Sequence, residues 1–405
     1  MTLSQFPPKS QFEEQDYSDP IKGPQYQRYM DAVSEAIGTD YIIVGRLGGG
    51  SFGEIFLALD TFRRKLYAIK TEHSTTRQPQ LAYEHKVYRL IAGGVGIPNT
   101  YRFVNCPVAR CLVMDLCGPS LETLFNWCGR RFSLKTTLML ADQMLSRIEY
   151  IHAKCFIHRD IKPDNFVIGF DRRTPLVHLI DFGLAKRFKD PRTGVHIPFR
   201  DRKSMIGTAR YASISTHLGI EPSRRDDLES FFYILVYFAS GKPLPWMGIK
   251  ESDREVKFRK IWESKYSTPV DILCEGLPKE FMLMYRYIRS LRFEDRPDYG
   301  YIRRLIRSIF LRSSFSFDFN FDWVMLDYDF YEPINKIFAG YEGSNLAALE
   351  RYLSENKRPL ISELREKQAK AMKAEKAQNN DTNSLAMAIS GHSVEENKHD
   401  DLAFY

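Results

Sequence analysis

The sequence predicts an α+β fold in two lobes: a small antiparallel sheet carrying one main helix, then a larger, mainly helical lobe. Three observations predict it. Short β-rich runs at Tyr41–Leu47, Glu54–Leu59 and Lys65–Thr71 are separated by Gly, Asp and Arg clusters. After Gly118 the texture turns helical, with Leu134, Leu138, Ala141, Leu145 and Ile148 recurring at spacings of four and three. Asp227 to Ser240 is apolar nearly all round, as suits a helix at the centre of a lobe.

Taken in order, residues 1–37 are polar and hold Pro7, Pro8, Pro20 and Pro24, so they read as an extension in which Tyr29 to Ile37 can form a short helix. The small lobe spans 38–118: the three strands, a helix over Gln80–Ile91, and strands at Thr100–Val104 and Cys111–Asp115. The large lobe spans 119–330. Ser133 stands where the long helix needs its N-cap, and further helices are expected at Asp253–Ser264, Lys279–Leu291 and Tyr299–Leu311. Composition shifts again near Glu332, and 331–405 reads as a second extension. Leu346, Leu349 and Leu353 mark one amphipathic helix there, Glu363 to Asn380 is helix-prone but weakly apolar, and 379–405 reads as disordered. There is no internal repeat.

Composition narrows the function classes. The 405 residues are 43% apolar and 27% charged, which excludes a wholly disordered or collagen-like chain. A net charge of +7 is too small to argue for nucleic acid. The six cysteines form no CxxC pair and are too sparse for a disulfide framework, so neither a zinc site nor disulfides are expected. Met1 to Asp16 has no apolar core, the longest clean apolar run is Phe231 to Ala239, and 401–405 lack a cysteine. The expectation is a soluble intracellular monomer with no membrane anchor and no nucleic-acid partner, in the cytoplasm, with the nucleus as a second compartment.

The chemistry sits in three motifs. Gly48-Gly49-Gly50-Ser51-Phe52-Gly53 contains G-x-G-x-x-G between two strands. Alone it is equally a plain glycine hairpin. Its position disfavours a dinucleotide fold, and a glycine hairpin lets backbone N–H groups approach phosphates closely. Lys70 ends the third strand, and fourteen residues on Glu84 lies on the expected helix. A Lys70–Glu84 pair would hold the ammonium against a nucleotide's phosphates. Third, His158-Arg159-Asp160-Ile161-Lys162-Pro163-Asp164-Asn165 is followed by Asp181-Phe182-Gly183.

In order and spacing these motifs resemble those of the protein kinases. The resemblance implies ATP and Mg2+ as cofactors. It makes Asp160 the acceptor of the substrate hydroxyl proton, Lys162 a contact to the transferred phosphate, and Asn165 and Asp181 the magnesium ligands. Lys162 follows the serine/threonine pattern. The adenine would lie between Leu47, Ile55 and Ala68 above and Val167 and Ile180 below. Met114 matches the gatekeeper, and the backbone of Asp115-Leu116-Cys117 would bond the base. Each of these apolar residues is equally compatible with ordinary core.

Within the kinases, Leu116-Cys117-Gly118-Pro119-Ser120-Leu121-Glu122, Gly207-Thr208-Ala209-Arg210-Tyr211-Ala212-Ser213-Ile214-Ser215 and Ser223-Arg224-Arg225-Asp226-Asp227-Leu228-Glu229-Ser230 resemble casein kinase 1 over about residues 40–330. That family has S-I-N where most kinases have A-P-E, and here Ser215 replaces its Asn. Phe232 stands where the family usually has Gly. Arg296 is more like other kinases, in which it pairs with the absent A-P-E glutamate, so its partner is open. Between Asp181 and Pro222 eight basic residues face four acidic ones. The family resemblance implies that Arg210, Gly248 and Lys257 bind an anion that mimics a phosphate already on the substrate. The expected partners are therefore proteins with acidic or phosphorylated residues N-terminal to the acceptor. A binding-only pseudokinase is the alternative, disfavoured because Lys70, Glu84, Asp160, Asn165 and Asp181 are all present. Ser390 and Ser393 have primed-acceptor spacing. The tail reads as a solubilising segment, with self-inhibition as the alternative.

Overall fold

The computed structural model describes residues 24–50, 53–170, 174–326, 331–356, 358–359, 362–363, 365–366 and 370. Ser51 at the tip of the glycine hairpin and the tail serines Ser390 and Ser393 lie outside the described residues.

The small lobe opens with α1 (Pro24–Ile37), followed by β1 (Tyr41–Gly50), β2 (Gly53–Asp60), β3 (Lys65–His73), α2 (Leu81–Leu90), β4 (Thr100–Asn105) and β5 (Ala109–Asp115). The strands form one antiparallel sheet in the order β1-β2-β3-β5-β4. Both faces of this sheet are covered. Leu57, Leu66, Ala68, Leu112 and Met114 face α2 and the main core, whereas Phe56, Ala58, Tyr67, Ile69, Cys111 and Val113 form a second core with Val33 and Ile37 of α1. That is why β3 reads as a continuous apolar run instead of an alternating one. The residues taken as a polar extension thus include a 14-residue helix that is part of the lobe.

The large lobe contains α3 (Leu121–Trp127), α4 (Leu134–Ala153), β6 (Phe156–Ile157), β7 (Phe166–Ile168), β8 (Val177–Leu179) and β9 (Lys186–Arg187). It continues with α5 (Ile214–His217), α6 (Arg224–Ser240), α7 (Arg254–Ser267), α8 (Val270–Leu273), α9 (Lys279–Ser290) and α10 (Tyr299–Arg312). Ser133 caps α4 as expected: its hydroxyl accepts from the Thr136 N–H. Residues 228–238 of α6 are buried without a break, so this helix is the lobe's axis. The short β6–β9 and β7–β8 ribbons line its upper surface.

Two more helices, α11 (Glu332–Ala339) and α12 (Leu346–Glu355), return to the small lobe. Ile337 of α11 packs so closely on Gly45 of β1 that a Cβ there would lie 2.6 Å from it. Glu355 pairs with Arg64 at 2.5 Å. Arg358 stacks over Tyr331 and over Phe170 of the large lobe, with its guanidinium carbon 4.3 and 5.4 Å from the ring centroids. Arg365 closes the end of α11 by donating to the Ala339 and Tyr341 carbonyls. Among the described residues no helix is long and apolar enough to cross a membrane.

The back-face core makes α1 essential to the small lobe. Ile37→Ala should cost about 2–5 kcal/mol in urea unfolding, the range for emptying a buried isoleucine site. Phe62→Ala, at a side chain 88% exposed, should change stability by less than about 0.5 kcal/mol. Equal midpoints for Ile37→Ala and the parent would show that α1 does not share the core.

Candidate active site

The cleft between the lobes is built around Lys70. It ends the cleft-facing row of β3, and its ammonium donates to both oxygens of Glu84 (2.8 and 3.0 Å) and to Asp181 Oδ1 (3.0 Å). Burial opposes the charge on Lys70, but the two carboxylates outweigh it and hold the ammonium well above the usual lysine range. The Asp181 carboxyl lies below its usual range, because the pull of Lys70 exceeds the cost of burial. Burial pushes Glu84 up, and Lys70 opposes that push.

Helix α2 reaches this position because Glu72, two residues after Lys70, caps it. Glu72 Oε1 accepts the N–H groups of Gln80 (2.5 Å) and Leu81 (3.1 Å), and Arg110 holds its other oxygen at 3.1 Å. Phe182 is fully buried edge-on against Tyr88 of α2 (5.0 Å) and His158 (5.2 Å). The Tyr88 hydroxyl accepts the Asp181 N–H at 3.3 Å. These contacts turn the Asp181 side chain, on a left-handed backbone, towards Lys70.

The motif from His158 to Asn165 is held from below by Asp227 of α6. Its carboxylate accepts the backbone N–H groups of His158 (2.8 Å) and Arg159 (2.9 Å) and bonds His152 Nε2 (2.8 Å). Arg159 has a left-handed backbone (φ 68°), and its Nε donates to the Leu184 carbonyl at 2.6 Å. Asp160 follows. Its Oδ2 accepts from Lys162 Nζ at 2.7 Å, its Oδ1 accepts the Thr208 N–H at 2.8 Å, and Asn165 Nδ2 donates to its carbonyl at 2.8 Å. Burial works against the Lys162 charge, but Asp160 raises its pKa above the ordinary lysine value. Gly207 must be glycine: its φ is +80°, and a Cβ would lie 2.4 Å from the Arg159 carbonyl oxygen.

The glycine hairpin pairs Gly48 with Ile55, Gly49 with Glu54 and Gly50 with Gly53. Leu47 and Ile55 are half-buried at its base, and Ala68 and Met114 are 8% exposed beside them. Val167 is buried and Ile180 half-buried, yet neither joins the main core that takes Phe166 and Ile168, as suits side chains facing the cleft. The Asp115 side chain is turned away from the cleft, onto Asn99, Tyr101 and Lys65. Its N–H bonds the Asn99 carbonyl, and the half-buried Cys117 follows two residues on, with its Sγ 4.0 Å from the Asp115 carbonyl oxygen.

Arg210 and Gly248 are exposed and Lys257 is half-buried. Hydrogen bonds draw their three elements together: Trp246 Nε1 donates to the Arg210 carbonyl (2.7 Å), and Lys265 of α7 donates to the carbonyls of Ala209 (2.9 Å) and Ala212 (2.5 Å). The carboxylate missing at the A-P-E position is supplied by Glu229. It accepts the Ile214 N–H (2.8 Å) and pairs with Arg289 (2.7 Å), whereas Arg296 is exposed. Glu72, Arg289 and Lys265 support the site from outside the quoted motifs, and Asp227 and Glu229 support it from the Ser223–Ser230 segment, to which the sequence assigned no role.

A family model of the protein kinase domain matches residues 41–272, more than half of the chain. The chain belongs to the protein kinase family. Transfer of phosphate to protein is therefore its activity class, and the cleft between the five-stranded lobe and the helical lobe is the kinase cleft.

The kinase's segment from Ala209 to His217, which ends in α5, carries a pH response. His217 Nε2 lies 3.2 Å from the Ala209 carbonyl oxygen and 3.3 Å from Lys265 Nζ. Burial, with the Lys265 charge beside it, pushes the imidazole down to about 4. An unfolded histidine titrates near ~6.5, so between these values only the unfolded chain takes up the proton. The stability tied to His217 is thus complete above that window and is lost as pH falls through it. His217→Asn should lose fewer degrees of Tm than the parent between about pH 7 and about pH 5. Equal losses would refute the assignment.

Proposed function

We propose that the chain is a serine/threonine kinase of the casein kinase 1 type, which transfers the γ-phosphate of Mg-ATP to acidic or already phosphorylated protein substrates. The observation that carries this reading is the meeting of Lys70, Glu84 and Asp181 above with Asp160, Lys162 and Asn165 below, in one cleft. A pseudokinase scaffold would not need both halves in register.

The residues divide the work as follows. Lys70, fixed by Glu84, holds the nucleotide's phosphates, and the backbone of the glycine hairpin covers them. Asp160 orients the substrate hydroxyl and accepts its proton. Thr208 N–H on its other oxygen keeps that carboxylate aimed. Lys162, 2.7 Å from Asp160, offers positive charge where the transferred group gains negative charge. Asn165 and Asp181 fit magnesium: one amide and one carboxylate oxygen are hard donors, and Asn165 turns its nitrogen to Asp160 and so leaves its oxygen for the ion. When bound, the ion neutralises charge on the phosphates.

Arg210, Gly248 and Lys257 suit a substrate phosphate. Gly248 has φ +90° with open space around it, and Arg210 is exposed beside it on a loop tied by Trp246. Arginine's planar fork binds phosphate at two points. Ser/Thr over Tyr is favoured by Lys162. A cytoplasmic or nuclear location follows only from this kinship and is part of the same proposal.

Two measurements check the reading. Asp181→Asn should lower phosphate transfer to casein by more than about a hundredfold, with Tm within a few degrees of the parent. Full turnover at saturating Mg-ATP would remove the metal-holding role. Replacing Arg210 and Lys257 together by Gln should raise KM for a peptide with phosphoserine three residues before the acceptor and leave kcat nearly unchanged. The contact is the same in ground and transition states. Equal losses with an unprimed peptide would mean that the pair supports the loop instead.

A further inference from the structure

Helix α1 precedes the matched kinase span of 41–272, yet one of its side chains, Tyr29, bonds β3 at Thr71, the residue next to Lys70. Thr71 follows Lys70 in β3, so its side chain leaves the opposite face of the sheet, under α1. The Thr71 hydroxyl makes three contacts. It accepts from the Tyr29 hydroxyl (2.8 Å) and from the Glu54 N–H (3.3 Å), and it donates to the Glu54 carbonyl (3.1 Å). A hydroxyl has one proton and two lone pairs, so these three bonds saturate it. With Tyr29 as donor, the Thr71 proton is directed to Glu54.

Glu54 is the first residue after Gly53, on the second arm of the glycine hairpin, and lies one residue beyond the last regular β2–β3 pair, Ile55 with Lys70. The Thr71 hydroxyl therefore ties β2 to β3 where the ladder ends. The approach is tight: a Cβ on Gly53 would lie 1.8 Å from the Thr71 carbonyl oxygen. The Glu54 side chain then pairs with Arg46 of β1 at 3.1 Å, and the Arg46 guanidinium lies over Gly49, 2.6 Å from where a Cβ would stand. The bonds run from α1 through β3 and β2 to β1 and end on the first arm of the hairpin.

Tyr29 is itself held firmly. Val33 and Ile37 anchor its helix in the back-face core, Arg102 donates to the Ile37 carbonyl at 2.6 Å, and the Tyr29 ring stacks on His73 at 5.5 Å. Burial pushes its phenol up to about 12, so it remains a proton donor at working pH.

We propose that Tyr29 is a positioning residue for the nucleotide: through Thr71, Glu54 and Arg46 it sets the glycine hairpin over the phosphates, making α1 part of the ATP-binding apparatus. This rests on the reading of the cleft as a Mg-ATP site.

The test uses the full chain. Tyr29→Phe, which removes one hydrogen bond, should raise KM for ATP about fivefold, and Thr71→Val, which removes three, should raise it at least as much. Peptide KM and kcat should change less than about twofold, and the double variant should be no worse than Thr71→Val alone. Thr71→Ser keeps the hydroxyl and should restore the parent KM. An unchanged ATP KM overturns the proposal. So does a parallel loss in ATP KM, peptide KM and Tm, which would mark general support of the lobe. Calorimetric Mg-ATP binding separates the two readings. A parent that binds Mg-ATP but transfers no phosphate would sink the kinase proposal, with Kd for the two variants still deciding the role of Tyr29. A parent that does not bind Mg-ATP would sink both.

Discussion

The ammonium of Lys70 is the joint on which the two lobes agree. A buried ammonium is costly unless anions surround it, and here two carboxylates do so, one from a helix of the same lobe and one from the facing lobe. If α2 swung outward or the Asp181 turn flipped, one carboxylate and part of the cation would lose their compensation together. The local supports follow from this demand. Glu72 fixes the start of α2, Tyr88 and His158 close on Phe182, and Asp227 suspends His158 and Arg159 by their N–H groups. Asp160 is placed as the next residue along that suspended backbone.

The residues assigned to chemistry stand out in the sequence because unusual residue types recur there at short spacings: four glycines in a hairpin, an aspartate with a lysine two residues on, an aspartate before Phe-Gly. Their supports were not legible, for a physical reason. Asp227 bonds N–H groups 68 and 69 residues back along the chain, and Glu229 pairs with Arg289 60 residues ahead. The Ser223–Ser230 segment was visible as a resemblance, but no local pattern marks which distant groups its carboxylates meet, so Arg296, recognised by its motif, drew attention that belonged to Arg289. Lys265 lies one residue past the expected Asp253–Ser264 helix and carries no local signal, yet it is buried under the carbonyls of Ala209 and Ala212.

Lobe frontiers drawn at composition changes miss the packing for a similar reason. Polar and apolar residues are nearly balanced in α1, and Tyr29, Met30, Val33 and Ile37 pack on the sheet. The clue lay in the partner strand: Leu66-Tyr67-Ala68-Ile69 has no polar face, so a cover was required on both sides. The helix marked by Leu346, Leu349 and Leu353 does form and pairs Glu355 with Arg64, 291 residues back, while its neighbour α11 docks Ile337 on Gly45 of β1. Arg358 then stacks against Phe170, so this C-terminal pair of helices touches both lobes.

Burial of β3 on both faces also guards against misfolding. Side chains alternate along a strand, so a slip of one residue would exchange its two rows. Lys70 would then point under α1 into an apolar layer with no carboxylate to meet it, while Tyr67 and Ile69 would project into the cleft. A sheet with one wet face could accommodate that error by exposing the wrong row to water. This sheet cannot, because either row in the wrong layer meets a closed core. The second cover thus does more than add buried area: it makes the out-of-register lobe unstable, so the chain that folds is the one whose lysine meets Glu84 and Asp181.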